Sequence, residues 1–283
     1  MKLTELAPAK LNLTLEVGEK RSDGYHEVQS VMSCAALYDE VTLESGTSGG
    51  ISMTCDCPGL PLDDTNLCLR AAKLFFQKTG IPCDGLHIDL TKRIPMQSGL
   101  GGGSADAAAV LRGLRKLYRP EMMIKDLERM AAELGSDVPF CVRSVTAMAR
   151  GRGEQLLKLP KLPLCWFVIC KPEFSFSTAE MYAELDEKEP VSSIDTLGLI
   201  KALEYQDMQE ISDRLGNCFE GVLEESSEIF AIKNRLLALG ARNACMSGSG
   251  SAVYGLFTRE DEAKAAAAEL QKAYPQTWFA ESV

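Results

Sequence analysis

The sequence predicts an α+β chain of two domains, and three observations predict it. Strand-like and helix-like stretches mix without the regular alternation that builds a parallel α/β sheet. A glycine-dense run, Pro95 to Ala108 (PMQSGLGGGSADAA), lies between a strand pattern and a helix pattern. A proline-rich stretch, Leu159-Pro160-Lys161-Leu162-Pro163, marks a boundary between residues 1–159 and 160–283. A length of 283 residues suits one large or two modest domains with sizeable cores.

The elements follow in order. Leu11, Leu13, Leu15 and Val17 alternate with Asn12, Thr14 and Glu16, which predicts a strand with one buried face. Lys10 and Asn12 share its polar face and can look into one cleft. Asp23-Gly24 is a turn signal, and residues 28–32 resume as a strand, so a hairpin is expected. Thr65-Asn66 can cap a helix through Leu69, Ala72, Leu74 and Phe75 that stops near Gly80. Leu86-His87-Ile88-Asp89-Leu90 alternates like a strand. After the glycines, Ala107, Val110, Leu111, Leu114, Leu117 and Tyr118 recur at steps of three and four, one face of a helix. A helix over 124–134 stops at Gly135, and Val138-Pro139 opens another with proline just inside. Strands over 146–150, 166–170 and 252–257 are expected. So are helices around 178–187, 195–205, 207–214, 226–239 and 260–273.

Composition excludes several classes. A net charge of −10 argues against nucleic acid as a partner, because phosphate backbones favour basic surfaces. No apolar run reaches the length of a membrane span. The opening Met-Lys-Leu-Thr-Glu-Leu is too poor in apolar residues for a signal peptide, so the chain reads as soluble and cytoplasmic. The ten cysteines are scattered without a C-x-x-C, and only His26 and His87 could add imidazole. Reduced thiols serving as small core residues are therefore expected rather than disulfides or zinc, with Cys34, Cys141, Cys165, Cys170 and Cys245 set among apolar neighbours.

The glycine loop carries the strongest chemical signal. Gly99, Gly101, Gly102 and Gly103 let backbone N–H groups turn inward with no Cβ in the way. The next helix adds unpaired donors and a partial positive charge. The result is a cradle for polyphosphate and implies a nucleoside triphosphate. It is not a P-loop, because no lysine follows the glycines, and Ser104 stands where a dinucleotide fingerprint needs its third glycine. Neither H-R-D nor D-F-G occurs. The bland alternative is a linker or a crowded helix–strand junction. An acidic chain needs local positive potential at such a site, and Lys10, Lys92, Arg93 and helix N-termini are the candidates. Asp137, after Gly135-Ser136, reads in isolation as a helix cap. Ser104 offers a hydroxyl to Mg²⁺ or a phosphate oxygen, or caps the helix. Asp106 has no assigned task, and His87 reads as structural.

At these residues the chain resembles the GHMP kinases. The first motif of that family is similar to Pro8-Ala9-Lys10-Leu11-Asn12-Leu13, the second to the glycine loop and the third to Ser247-Gly248-Ser249-Gly250-Ser251-Ala252. Arg21-Ser22-Asp23-Gly24-Tyr25-His26 and Gly135-Ser136-Asp137-Val138-Pro139 narrow the resemblance to members acting on a cytidine diphosphate-linked polyol. It covers residues 5–258. It implies an N-terminal domain like ribosomal protein S5 domain 2, a ferredoxin-like C-terminal domain and an active site in the cleft between them. It implies transfer of the γ-phosphoryl of ATP, with Mg²⁺, to the 2-hydroxyl of 4-diphosphocytidyl-2-C-methyl-D-erythritol in the non-mevalonate isoprenoid route.

Residue by residue, the resemblance makes Asp137 the base and Lys10 the charge-stabilising cation. Pro95, Met96, Gln97, Ser98, Gly99, Leu100, Gly101, Gly102, Gly103, Ser104 and Ala105 form the ATP cradle, with Ser104 the candidate for Mg²⁺. Asn12, Tyr25, His26, Thr178, Tyr182, Gly248 and Ser249 hold the substrate. Tyr25 and Tyr182 would sandwich the cytosine while His26 reads its edge, and stacking of this kind is worth about 1–3 kcal/mol per base. The family often has serine where this chain has Ala105, so one hydroxyl contact is lost there. Two alternatives stay open: a homoserine or mevalonate type of GHMP kinase, and a silent nucleotide-binding module on the same fold. A monomer or weak homodimer is expected.

Overall fold

The computed structural model describes residues 1–47, 49–188 and 194–283. Its strands are β1 (Lys2–Lys20), β2 (His26–Ser45), β3 (Ile51–Cys55), β4 (Leu86–Thr91), β5 (Ala147–Arg150), β6 (Gln155–Lys158), β7 (Trp166–Cys170), β8 (Gly216–Asn217), β9 (Asn243–Met246), β10 (Val253–Phe257) and β11 (Thr277–Glu281). Its α-helices are α1 (Leu67–Thr79), α2 (Gly102–Tyr118), α3 (Ile124–Ala132), α4 (Val138–Arg143), α5 (Thr178–Glu187), α6 (Thr196–Tyr205), α7 (Met208–Asp213), α8 (Glu228–Ala238) and α9 (Glu260–Leu270). A 3-10 helix spans Cys218–Val222.

Two compact units form. The first gathers Met1–Ala9, Tyr38–Met96 and Gly101–Ser144; the second gathers Lys10–Leu37, Gln97–Leu100 and Val145–Val283. The long strands β1 and β2 contribute one half to each.

In the first unit, β4 runs parallel to β3 and antiparallel to the end of β2, from Glu40↔Thr91 to Ser45↔Leu86. Helices α1 and α2 pack on each other, and α4 packs on α2 and α3. Asn66 starts α1 by accepting from Cys68 N (2.8 Å), and Gly80 ends it in the left-handed region, as the sequence predicts. The helix faces expected from spacing are largely the buried ones: Val110, Leu111 and Leu114 are fully buried on α2 and Phe75 on α1, while Leu74, Leu117 and Tyr118 are half-buried. Each fully buried side chain contributes about 1.5–3 kcal/mol by leaving water.

In the second unit, β7, β9, β10 and β11 form an antiparallel sheet in the order β11–β7–β10–β9. Helices α8 and α9 pack against it. The succession β7–α8–β9–β10–α9–β11 in that spatial order is the split βαβ arrangement of a ferredoxin-like fold, as expected for the C-terminal half. The start of β2 pairs with β5 and β5 with β6, all antiparallel. Residues Thr14–Leu15 of β1 run parallel to β8.

Two expectations need correction. Strand β1 is not buried on one face only: residues 7–15 are buried throughout, and Thr14 is 0% exposed. The reason is β8 beside it and Thr196, whose Oγ1 donates to Thr14 Oγ1 at 3.0 Å. The cap of α2 is Gly101, not Ser104, which sits inside the first turn. His87 is half-buried on β4 and, in keeping with a structural role, is partnered on both ring nitrogens, with Nδ1 at 2.9 Å from Ser52 Oγ and Nε2 at 3.0 Å from Thr54 Oγ1 on β3. All ten cysteines are free thiols, and the five expected in apolar surroundings are buried.

Candidate active site

The glycine loop, strand β1 and the third motif are zipped together in the second unit. Lys10 N donates to Leu100 O (2.8 Å), and Ala252 N donates to Ser98 O (2.9 Å). Ser247 Oγ donates to Gly99 O (3.1 Å), and the same hydroxyl accepts from Asn12 N (3.4 Å). Gly99, at φ +77°, leaves only 1.9 Å between the place of an added Cβ and Ser247 O. Gly248, at φ +57°, leaves 3.0 Å to Gly99 O. These glycines are what allow two backbones to touch. Asn217 Nδ2 braces the third motif from below, donating to Met246 O and Gly248 O at 2.8 Å each.

Lys10 and Asn12 do share one face of β1, and both are buried. The Lys10 ammonium donates to Asn12 Oδ1 at 2.9 Å, while Asn12 Nδ2 donates to Ser30 Oγ at 2.8 Å. Both ends of the Asn12 amide are therefore used, and the lysine is held in one orientation. Thr178 Oγ1 lies 2.9 Å from Ser249 Oγ, joining the start of α5 to the third motif. Lys171 is buried, and burial lowers the affinity of its amine for a proton. Its Nζ donates to Pro172 O (2.8 Å) and Phe174 O (2.7 Å), tethering the chain that leads into α5.

The residues expected to hold a base form a second cluster in the same unit. The turn closes with Arg21 N donating to Tyr25 O (2.6 Å) and Tyr25 N donating to Asp23 Oδ1 (3.1 Å). Tyr25 is half exposed, and the Arg152 guanidinium sits 4.8 Å over its ring. His26 is buried, stacks on Tyr182 (5.0 Å between ring centres, 24° between planes) and lies 2.6 Å from Asp186 Oδ1 through Nε2. One face of Tyr182 thus meets an imidazole, and Phe219 meets the ring edge-on at 5.0 Å. Phe174 and Phe176 pair edge-to-face with each other at 5.2 Å.

The first unit supplies the helical half of the loop. Gly101 has no side chain to cap α2, and the first N–H bonded back within the turn is that of Ala105, which donates to Gly101 O (2.8 Å). The donors of the first turn therefore stay available to an anion. Gly103 is exposed, Gly102 and Ser104 are half-buried, and Ala105 is fully buried. Asp137 takes the cap position of α4, but its carboxylate makes no capping hydrogen bond. The bland reading of that residue as a helix cap is accordingly not what the side chain does.

Beneath the first turn of α2 lies a buried ionic cluster that no sequence pattern signals. Lys92 Nζ bonds Asp39 Oδ2 and lies 2.8 Å from Asp106 Oδ2. Asp39 Oδ1 accepts from Arg93 N (2.5 Å) and Ile94 N (2.8 Å). Asp106 Oδ1 is buried with no partner. Burial, added to the nearby Asp39 carboxylate, outweighs Lys92 and pushes the Asp106 carboxyl up to about 8. Lys92, a candidate for positive potential at the phosphate site, is thus committed to carboxylates, and Arg93 pairs with Asp56 at 3.2 Å.

Comparison with known proteins defines the class. Residues 66–144 match the GHMP kinases N terminal domain, and residues 199–276 match the GHMP kinases C terminal domain. The chain belongs to the GHMP kinase family, and it is a phosphotransferase that uses ATP. A protein of Macrococcus caseolyticus named 4-diphosphocytidyl-2-C-methyl-D-erythritol kinase is 43% identical over 261 residues, 92% of each chain. A crystal structure of 4-(cytidine 5'-diphospho)-2C-methyl-D-erythritol kinase superposes with a TM-score of 0.83 at 36% identity, covering 99% of both chains. Homoserine kinase from Cytophaga hutchinsonii shares the fold, with a TM-score of 0.78 at 22% identity over 100% of this chain and 94% of that one.

Proposed function

We propose that this chain phosphorylates the 2-hydroxyl of 4-diphosphocytidyl-2-C-methyl-D-erythritol with ATP, in the non-mevalonate route to isoprenoid precursors. The observation that carries the reading is 43% identity across nearly the whole length to a kinase of that name. The stack of His26 on Tyr182, with the half-exposed Tyr25 next to His26 in the chain, supports it, since such side chains suit a flat heterocycle with hydrogen-bonding edges.

Phosphoryl transfer is mostly positioning and charge neutralisation. Residues 95–105 cradle the phosphates of ATP, with the N–H groups at the start of α2 as donors. Lys10, held by Asn12, offsets charge that builds on the transferred group. Asp137 orients the substrate hydroxyl and accepts its proton late, because an ionised carboxylate is too weak a base to remove it beforehand. Asn12, Tyr25, His26, Thr178, Tyr182, Gly248 and Ser249 hold the cytidine-linked substrate.

Among the described residues, no three His, Cys, Asp or Glu side chains converge as a metal cage. That donor set fits Mg²⁺ arriving on phosphate oxygens and water, with the Ser104 hydroxyl from the protein, since Mg²⁺ keeps several waters and relies on substrate phosphates. When bound, the ion would neutralise charge on the β- and γ-phosphates. We assign residues 1–159 to the N-terminal kinase domain and 160–283 to the C-terminal one. We assign the protein to the cytoplasm as a monomer or weak homodimer. Among the described residues, no helix is long and apolar enough to cross a membrane.

A thermal-shift panel with a direct assay of phosphate transfer tests this reading. A ligand at a hundred times its dissociation constant adds about 2.7 kcal/mol of stability. Shifts with both ADP and cytidine diphosphate, together with a new phosphate monoester on the polyol, are expected. A shift with ADP alone would point to a sibling kinase with another alcohol. Binding without transfer would point to a silent module.

A further inference from the structure

We propose that Asp186 fixes the tautomer of His26 and thereby sets a preference for cytosine over uracil in the base pocket. The inference rests on the cytidine-linked substrate proposed above. Asp186 does not itself touch the base; it is a positioning residue.

Helix α5 holds the imidazole at two points. Tyr182 and Asp186 stand four residues apart, so they share one helix face. Tyr182 covers the flat of the His26 ring at 5.0 Å, and Asp186 Oδ1 bonds its edge at Nε2, 2.6 Å away. The other carboxylate oxygen of Asp186 receives Lys20 Nζ at 3.0 Å. Turning the ring over would put Cε1 where Nε2 stands and break the Asp186 bond.

The hydrogen-bonding logic follows from the carboxylate. Lys20 first, and His26 after it, hold the Asp186 carboxyl below the usual carboxylate range, so it is ionised and can only accept. Nε2 must therefore carry the proton. A neutral imidazole has one N–H, which leaves Nδ1 as an acceptor. Nδ1 has no protein partner among the described residues and is not one of the sealed, unpartnered atoms. Cytosine presents a 4-amino donor where uracil presents a 4-carbonyl acceptor. An acceptor on His26 pairs with the first and opposes the second. Discrimination built this way is strong, because the wrong base leaves polar groups unpaired.

The test measures the affinity of the whole protein for cytidine diphosphate and uridine diphosphate by calorimetry. The variants are Asp186→Asn, Asp186→Ala and Asp186→Glu. The parent protein should prefer cytidine diphosphate, and the Asn and Ala variants should lose at least about tenfold of that preference. The melting temperature and ADP affinity should be unchanged, and the Glu variant should recover part of the preference. The ¹⁵N signals of the imidazoles give an independent readout, since the chain has only two histidines and His87→Gln assigns them. Nδ1 of His26 should be unprotonated in the parent and shift in Asp186→Asn. A preference that persists in Asp186→Asn, with the tautomer unchanged, overturns the proposal alone. A parent protein without any preference for cytidine diphosphate overturns the substrate reading as well.

Discussion

Gly99 and Ser247 meet backbone to backbone: a methyl group on Gly99 would fall 1.9 Å from the Ser247 carbonyl oxygen. The obstacle is main chain, so it cannot swing aside as a flexible side chain would. Gly99→Ala should therefore separate the glycine loop from the third motif. The left-handed backbone alone costs an alanine about 1–3 kcal/mol, and the collision adds to it. Gly103 is the control. It is exposed in the first turn of α2, and its added Cβ would come no closer than 3.9 Å to Leu67. Gly103→Ala should stabilise the helix by about 0.5–1 kcal/mol while raising KM for ATP, because the methyl occupies the side offered to phosphate. Melting curves and ATP titrations of the two variants separate these effects. Equal melting temperatures for Gly99→Ala and the parent would remove the backbone contact from the account.

Asp137 tests whether a cap position conceals a chemical group. Its side chain makes no capping hydrogen bond to α4, so Asp137→Asn does not uncap that helix. As the proposed proton acceptor, the same change should lower kcat by about 10²–10⁴-fold with KM for both substrates retained. Steady-state kinetics beside a melting curve decide between the roles. A variant that melts early but turns over normally would make Asp137 structural.

What was legible in the sequence was local. Caps, turns and periodic faces are set by neighbours within a few residues, and so α1, α2, α5 and the strand Leu86–Thr91 fall where the pattern puts them. The motifs Pro8–Leu13, Pro95–Ala108 and Ser247–Ala252 were legible for the same reason. What was not legible depends on distant partners. Thr14 reads as solvent-facing because nothing nearby reveals Thr196, 182 residues later. Strands β3, β6, β8, β9 and β11 have five residues or fewer, and pairing rather than pattern defines them. Lys92 reads as a cation for phosphate until Asp39 and Asp106 enclose it, 53 and 14 residues away. Asp186 carried one usable signal, its four-residue spacing from Tyr182, but its partner His26 lies 160 residues back.

The ionic cluster under α2 gives a stability that depends on pH in a stated direction. Two carboxylates share one ammonium, and the unpartnered oxygen of Asp106 makes that group the easier one to protonate. Its carboxyl is raised from 3.8 to about 8 in the fold. An acid whose folded value is raised favours the folded state when protonated. That contribution is complete below pH 3.8 and is lost as pH rises towards 8. Asp106→Asn removes the titration while keeping the shape, and it leaves Asp39 and Lys92 as a balanced pair. The variant should therefore gain on the parent as pH rises, with the difference in melting temperature growing between pH 5 and pH 8 and levelling off above it. Asp39→Asn should behave differently. Asp39 accepts from Arg93 N and Ile94 N as well as from Lys92, so its loss should cost about 1–3 kcal/mol across the range. Melting curves of both variants in matched buffers measure the slopes. A gap between Asp106→Asn and the parent that stays flat across that range would show that Asp106 is ionised in the fold throughout, with Lys92 outweighing burial.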